Sequence, residues 1–256
     1  MNEHPNLVTT DIGVIRVLRI DREDKLGALS SALVGALADQ IAVLAHEPSI
    51  RGVVLTGTGR GFIAGADIGE YASATPAEFD EYQRYCRQVF ESFAALPQVT
   101  VAAVNGYAFG GGFELALCCD FLLASPAARF ALPEIKLGLV PGGGGITRLA
   151  EAVSARWAKE VMLTGRTVFP DEALARGIVS EIVADGGLLD HAVEWTAQLA
   201  TSAPLAAREL KFLMATQSAN AADAERAALL RLFSSDDGHE GIDAFSKKRE
   251  AHFIGR

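Results

Sequence analysis

The spacing of apolar positions changes along the chain in a way that alternates strands with helices. Residues 12–20 (IGVIRVLRI) are dense in β-branched and apolar side chains and predict a strand. Ser30 then stands where a helix can be capped, with Leu33, Leu37, Ile41 and Leu44 on one face. Residues 52–56 (GVVLT) and 99–104 (VTVAAV) predict short buried strands, and residues 57–61 (GTGRG) a loop. Thr75, Pro76, Ala77 and Glu78 form a capping box with proline at the first helical position. The helix they open repeats Phe79, Tyr82, Cys86, Val89, Phe93 and Leu96 at spacings of three and four, which predicts a core stripe with no ligand role. Residues 120–125 and 129–132 predict strands, residues 146–153, 154–163 and 171–176 helices, and residues 178–183 a closing strand. From Leu188 onward the pattern is helical, with Asp237 and Glu240 as a further capping pair. The expectation is an α/β body over residues 1–200 and a helical region over 201–256.

Composition narrows the function. The 256 residues are 50% hydrophobic and 21% charged, which suits a folded domain with a large core and excludes disorder. A net charge of −9 argues against a nucleic-acid partner. The helix of residues 76–96 repeats that message, carrying Glu78, Asp80, Glu81 and Glu91 against Arg84 and Arg87. Cys86, Cys118 and Cys119 are odd in number and form no C-x-x-C, so buried thiols in a reducing, cytoplasmic setting are expected. The first ten residues have neither the basic nor the apolar region of a secretory signal. Residues 92–113 carry no charge over a membrane-span length. Pro97, Asn105 and Gly110 to Gly112 interrupt them, so a strand, a turn and a helix start are predicted in place of a membrane span.

Several signals lead nowhere. GTGRGF has the wrong spacing for a dinucleotide loop, and Gly142 to Gly145 lack the Lys and Ser/Thr of a nucleotide loop. No pair of histidines has metal-ligand spacing, so no metal is expected, and no G-x-S-x-G is present. Three segments carry chemistry. GFIAGADI (61–68) sets small residues after a buried strand, where backbone N–H groups become available as donors. NGYAFGGGFE (105–114) ends a strand, passes three glycines and starts a helix with free N–H groups, with Glu114 in its first turn. LPEIKLGLVPGGGG (132–145) places Glu134 in an apolar stretch before a glycine-rich helix start. Two such turns can each offer one N–H to the same oxygen, and two carboxyls in apolar surroundings can divide acid and base work. On spacing alone other readings stand beside these. Glu114 also suits a helix start, Glu134 could lie exposed or pair with Arg148, and the glycines could serve only tight packing.

Together these segments resemble the crotonase superfamily, the enoyl-CoA hydratase/isomerase family. The resemblance runs from DREDKLGALS (21–30) through GFIAGADI, VAAVNGYAFGGGFELALCCDFLLAS, FALPEIKLGLVPGGGGITRL and LTGRTVFPDEALARGIVSEIV to EGIDAFSKKREAHF (240–253). It implies a spiral of ββα units with a C-terminal helical region, assembled as a homotrimer or homohexamer. It implies an acyl-CoA thioester as substrate, with no metal or other cofactor. The N–H groups of Ala66 and Gly111 would hold the thioester oxygen, and Glu114 and Glu134 would be the catalytic pair. Leu26, Ala28, Ala64, Asp67, Ile68, Gly142, Phe245 and Lys248 match substrate-contacting positions. Both glutamates are present, which favours hydration of a trans-2-enoyl-CoA to a 3-hydroxyacyl-CoA. Δ3-Δ2-enoyl-CoA isomerisation is the alternative. Gly27, Gly69 and Ile146-Thr147 depart from the common family pattern, and Tyr71 and Phe113 are expected to be bulky neighbours of the acyl pocket.

Overall fold

The computed structural model describes residues 4–184, 186–215 and 221–256, with Tyr71 described by its backbone alone. The chain opens with a hairpin, β1 (Leu7–Ile12) and β2 (Ile15–Ile20), paired antiparallel around Gly13 at φ +59. The single strand expected over 12–20 is therefore corrected: Gly13 and Val14 turn the chain, and β1, with only Leu7 buried, lacked the apolar density that marks a strand. Next come α1 (Ser31–Leu44), β3 (Gly52–Gly57), β4 (Gly61–Ile63) and the one-turn α2 (Ile68–Tyr71). Ser30 caps α1 by accepting from the Leu33 N–H. The Thr75 capping box is complete, and it starts α3 (Pro76–Ala94). The uncharged segment then divides into β5 (Val99–Val104), β6 (Tyr107–Phe109) and α4 (Gly111–Ala116). Among the described residues no helix is long and apolar enough to cross a membrane.

After β7 (Phe121–Ala124) and β8 (Arg129–Ala131) come α5 (Gly145–Ala152), α6 (Ala155–Thr164), α7 (Pro170–Ala175) and β9 (Glu181–Ile182). Helices α8 (Leu188–Leu199), α9 (Pro204–Ala215), α10 (Ala221–Phe233) and α11 (Asp236–Lys247) follow. The capping pair expected at Asp237 and Glu240 is not formed. Ser235 caps α11, buried Asp237 accepts from the Ile254 and Gly255 N–H groups, and Glu240 pairs with Arg249.

A six-stranded sheet has the order β1-β2-β3-β5-β7-β9, and β4-β6-β8 form a second sheet. All pairings except the hairpin are parallel. Each of β3, β5 and β7 runs directly into the next strand of the small sheet, so both sheets grow in step. This is the ββα spiral that the resemblance implies. Side chains along β3 and β5 alternate between two cores: Val53, Leu55, Ala102 and Val104 join the larger one, Val54, Val101 and Ala103 the smaller. Helix α8 covers the smaller core, which explains why these strands read as unbroken apolar runs. Strands β4, β6 and β8 are parallel neighbours, so the segments after them leave from one sheet edge. Those segments are 64–67, 110–114 and 132–134, the three that carried chemistry in the sequence.

Candidate active site

At that edge a cleft of about 370 Å³ opens between α3 and the small sheet. Ala64, Ala66, Ile68, Gly111, Glu114, Glu134 and Gly142 all line it. A larger cavity of about 590 Å³ lies beside Arg51, Pro97 and the C-terminal Phe253, and holds none of the expected site residues.

Glu114 is 4% exposed. Its Oε1 accepts hydrogen bonds from the Gly143 and Gly145 N–H groups, both at 2.8 Å, across the start of α5. Those glycines are needed there, because a Cβ on Gly145 would lie 2.8 Å from the Glu114 Cγ and one on Gly143 3.0 Å from its Oε2. Burial pushes the Glu114 carboxyl above its ordinary value, against the pull of the two backbone donors and of the Arg148 and Arg87 charges. Arg148 donates to the Gly143 carbonyl at 3.0 Å and so braces the loop that holds Glu114; it makes no pair with Glu134.

Glu134 opens a 3-10 turn after Pro133, which Gly138 ends in the left-handed region at φ +72. It faces Gly110, where an added Cβ would come 3.0 Å from Glu134 Oε1. Its Oε2 is buried with no hydrogen-bond partner among the described residues. Burial, reinforced by the Glu114 charge, pushes this carboxyl up to about 7. The cleft thus holds two carboxyls in different settings, one cradled by backbone donors and one without a partner on its buried oxygen.

Two residues of the cleft lining, Ala66 and Gly111, keep backbone N–H groups that the fold does not use. The 64–67 segment pairs with the 26–29 turn through the Ala64 N–H to Leu26 C=O (3.0 Å), Leu29 N–H to Gly65 C=O (2.8 Å) and Asp67 N–H to Leu29 C=O (2.8 Å). In parallel pairing neighbouring residues turn their N–H groups to opposite sides, so the Ala66 N–H points away from Leu29. Gly111 is the first residue of α4, where no intrahelical acceptor exists. Neither N–H has a partner among the described residues. The two turns touch: a Cβ on Gly65 would lie 3.6 Å from the Phe109 carbonyl oxygen, and one on Gly110 3.9 Å from the Gly65 Cα.

Other expected residues stand elsewhere. Leu26 and Ala28 shape the turn behind Ala66, and the Asp67 carboxylate turns to Arg22 at 2.8 Å. Phe245 and Lys248 sit on or at the end of α11 and do not line the cleft of their own chain. The Phe113 ring packs on Phe130 with centroids 5.2 Å apart and is fully buried, so it belongs to the core and not to the cleft wall. The Tyr71 side chain lies outside the described residues. The α3 stripe also needs correction. Phe79, Tyr82, Cys86 and the neighbouring Phe90 line the cleft, while Val89 and Phe93 remain in the core. Helical periodicity marks the inward face of α3 and cannot tell a packed core from a cleft wall. Leu137, Leu139 and Val140 close the opposite side. They were legible only as apolar residues in the loop after Glu134.

Comparison with known proteins gives the family. A family model described as enoyl-CoA hydratase/isomerase matches residues 10–256. The chain is 33% identical to a crotonyl-CoA hydratase of Syntrophomonas wolfei subsp. wolfei, with 99% of each chain covered. It is 36% identical to a 2,3-dehydroadipyl-CoA hydratase of Escherichia coli, covering 94% of this chain and 96% of that one. The solved structure of an enoyl-CoA hydratase from Bacillus anthracis superposes with a TM-score of 0.93 at 32% identity, covering 98% of this chain and all of the other. The match along residues 10–256, the full-length relatives and the shared fold place the chain in the enoyl-CoA hydratase/isomerase family.

Proposed function

We propose that the chain adds water across the C2=C3 bond of a trans-2-enoyl-CoA thioester to give a 3-hydroxyacyl-CoA. The observation that carries this reading is the pairing, in one cleft, of two upward-shifted carboxyls with two unpartnered backbone N–H groups. The Ala66 and Gly111 N–H groups form an oxyanion hole for the thioester oxygen. Polarising that carbonyl makes C3 electrophilic and stabilises the enolate-like transition state. Glu114, kept usable as an anion by its two backbone donors, takes a proton from the attacking water. Glu134, whose carboxyl burial pushes up to about 7 and which therefore keeps a proton to give near neutral pH, delivers it to C2. These steps call on no metal or organic cofactor. Hydration uses both carboxyls, whereas moving a double bond between Δ3 and Δ2 needs one, and the cleft holds both.

The reading extends to the surroundings. Leu210, Met214, Leu229, Leu230, Phe233 and Phe245 are exposed on α9 to α11, as expected of a surface joining copies into a homotrimer or homohexamer. The buried free thiols Cys86, Cys118 and Cys119 suit a reducing, cytoplasmic setting. The test is a panel of trans-2-enoyl-CoA and 3-enoyl-CoA substrates of rising chain length, followed by loss of the conjugated enoyl-thioester absorbance and by product identity. The expected outcome is 3-hydroxyacyl-CoA from the 2-enoyl series. Conversion of only the 3-enoyl series, without hydroxylated product, would replace hydration by isomerisation.

A further inference from the structure

We infer that Arg22 is a positioning residue for the Ala66 N–H, and that Asp67 completes this clamp and does not contact the substrate. The inference rests on the hydratase reading in one respect, that Ala66 donates to the thioester oxygen.

The Ala66 N–H is aimed by the pairing of two turns, the first of them braced within itself by the Gly27 N–H to Arg22 C=O (2.9 Å) and the Ala28 N–H to Lys25 C=O (3.0 Å). One runs through Leu26 and Gly27, both in the left-handed region at φ +51 and +76. Such a conformation is unfavourable for leucine and persists only where the surroundings hold it. The other passes Gly65 at φ +113 before reaching Ala66 and Asp67. Three main-chain hydrogen bonds join the turns, and none of them involves Ala66 itself. Arg22 supplies the side-chain link between them. Its Nη1 donates to the Ala28 carbonyl at 2.8 Å, on the first turn, and its Nη2 to the Asp67 Oδ2 at 2.8 Å, on the second.

The planar guanidinium suits this task, because two donors fixed relative to each other reach two acceptors on separate segments. The pair is largely shielded, with side chains 16% and 19% exposed. The Arg22 hydrogen bond holds the Asp67 carboxyl below the usual carboxylate range. The other Asp67 oxygen, Oδ1, accepts from the Gly69 N–H at 3.3 Å and caps α2. Both carboxylate oxygens are thus engaged within the loop, and Asp67 is absent from the cleft lining although Ala66 and Ile68 on either side belong to it.

A misplacement of about 1 Å in a reacting geometry costs roughly 100-fold in rate. Arg22→Met is therefore expected to lower kcat by roughly 10- to 100-fold while KM changes little. Asp67→Asn keeps an acceptor for the Gly69 N–H but breaks the ion pair, and is expected to give the same pattern. The double variant should be no worse than either single one, because both remove one clamp. Arg22→Lys, with a single donor nitrogen, should recover part of the loss.

The readout that distinguishes positioning from general loosening is the infrared carbonyl stretch of a bound saturated acyl-CoA labelled with ¹³C at the thioester carbon. The wild-type protein should move this stretch to lower wavenumber than in solution, and Arg22→Met and Asp67→Asn should move it back. Circular dichroism checks folding of every variant, and Arg22→Lys with Asp67→Asn carries the test should Arg22→Met fail to fold. Folded variants that keep the wild-type stretch and kcat would overturn the clamp while leaving the hydratase reading intact. A raised KM in Asp67→Asn alone, with the stretch unchanged, would place Asp67 on the substrate and overturn the inference. Wild-type protein that neither hydrates nor shifts the stretch would remove the hydratase reading, and the clamp with it.

Discussion

Glu134 Oε2 and the Glu114 cradle give the two carboxyls opposite tasks, and this difference can be tested residue by residue. A glutamine at either position keeps size but cannot exchange a proton. Glu114→Gln and Glu134→Gln should each lower hydration by at least about 100-fold, with the double variant far less than multiplicatively worse. Competence requires Glu114 ionised and Glu134 protonated. The kcat/KM profile of the wild-type protein should thus rise through an acid limb above the ordinary carboxylate value and fall through an alkaline limb near pH 7. Stability follows with a definite sign. The folded Glu134 carboxyl lies at about 7, above its unfolded value of 4.5, so the folded state binds the extra proton between those limits. Wild-type stability on account of this group therefore falls as pH rises toward 7. Glu134→Gln should have the higher Tm at pH 8, and the advantage should vanish near pH 4. At this scale the motifs pointed to Glu114, Glu134, Ala66 and Gly111, and all four line one cleft. What could not be read was the partner of each. The donors to Glu114 come from Gly143 and Gly145, about thirty residues away, and Arg22 meets Asp67 across 45 positions. Nothing local encodes such pairs.

Helix α4 shows why the glycines must be glycines at the level of whole elements. An added Cβ on Gly112 would collide with the Ile63 carbonyl of β4, so this residue lets the helix lie directly on the small sheet. Gly112→Ala should cost about 1–3 kcal/mol or more through overpacking, read as a lowered Tm. The element reading succeeded where a pattern was long and capped, as for α1 behind Ser30 and α3 behind the Thr75 box. It missed β6, three residues between Gly106 and Gly110, because a strand that short shows no period. It misassigned the α11 start because Asp237 has the composition of a cap but spends its carboxylate on the backbone of the C-terminal tail, a contact the local sequence does not reveal. The three-strand sheet follows from the repeated passage of β3, β5 and β7 into β4, β6 and β8, a repetition of architecture that no repetition of sequence announces.

At the scale of the whole molecule, α11 stands apart from the cleft. Phe245 is 87% exposed, and Lys248 ends the helix in the left-handed region, both away from the cleft of their own chain. The family resemblance implies that both contact the substrate, and we propose that they do so at the CoA nucleotide of a neighbouring copy, within the surface that joins the copies. Lys248→Ala should then raise KM more than it lowers kcat, and the effect should shrink with a pantetheine thioester that lacks the nucleotide. Equal effects on both substrates would speak against that contact. An overall charge of −9 makes such a local cation useful to an anionic substrate. The claim on which all the rest depends is the addition of water. Purified protein incubated with a short trans-2-enoyl-CoA in ¹⁸O-labelled water should yield 3-hydroxyacyl-CoA carrying one heavy oxygen at C3, detected by mass spectrometry. Substrate returned without heavy oxygen, or converted only to its 3-enoyl isomer, would contradict the account.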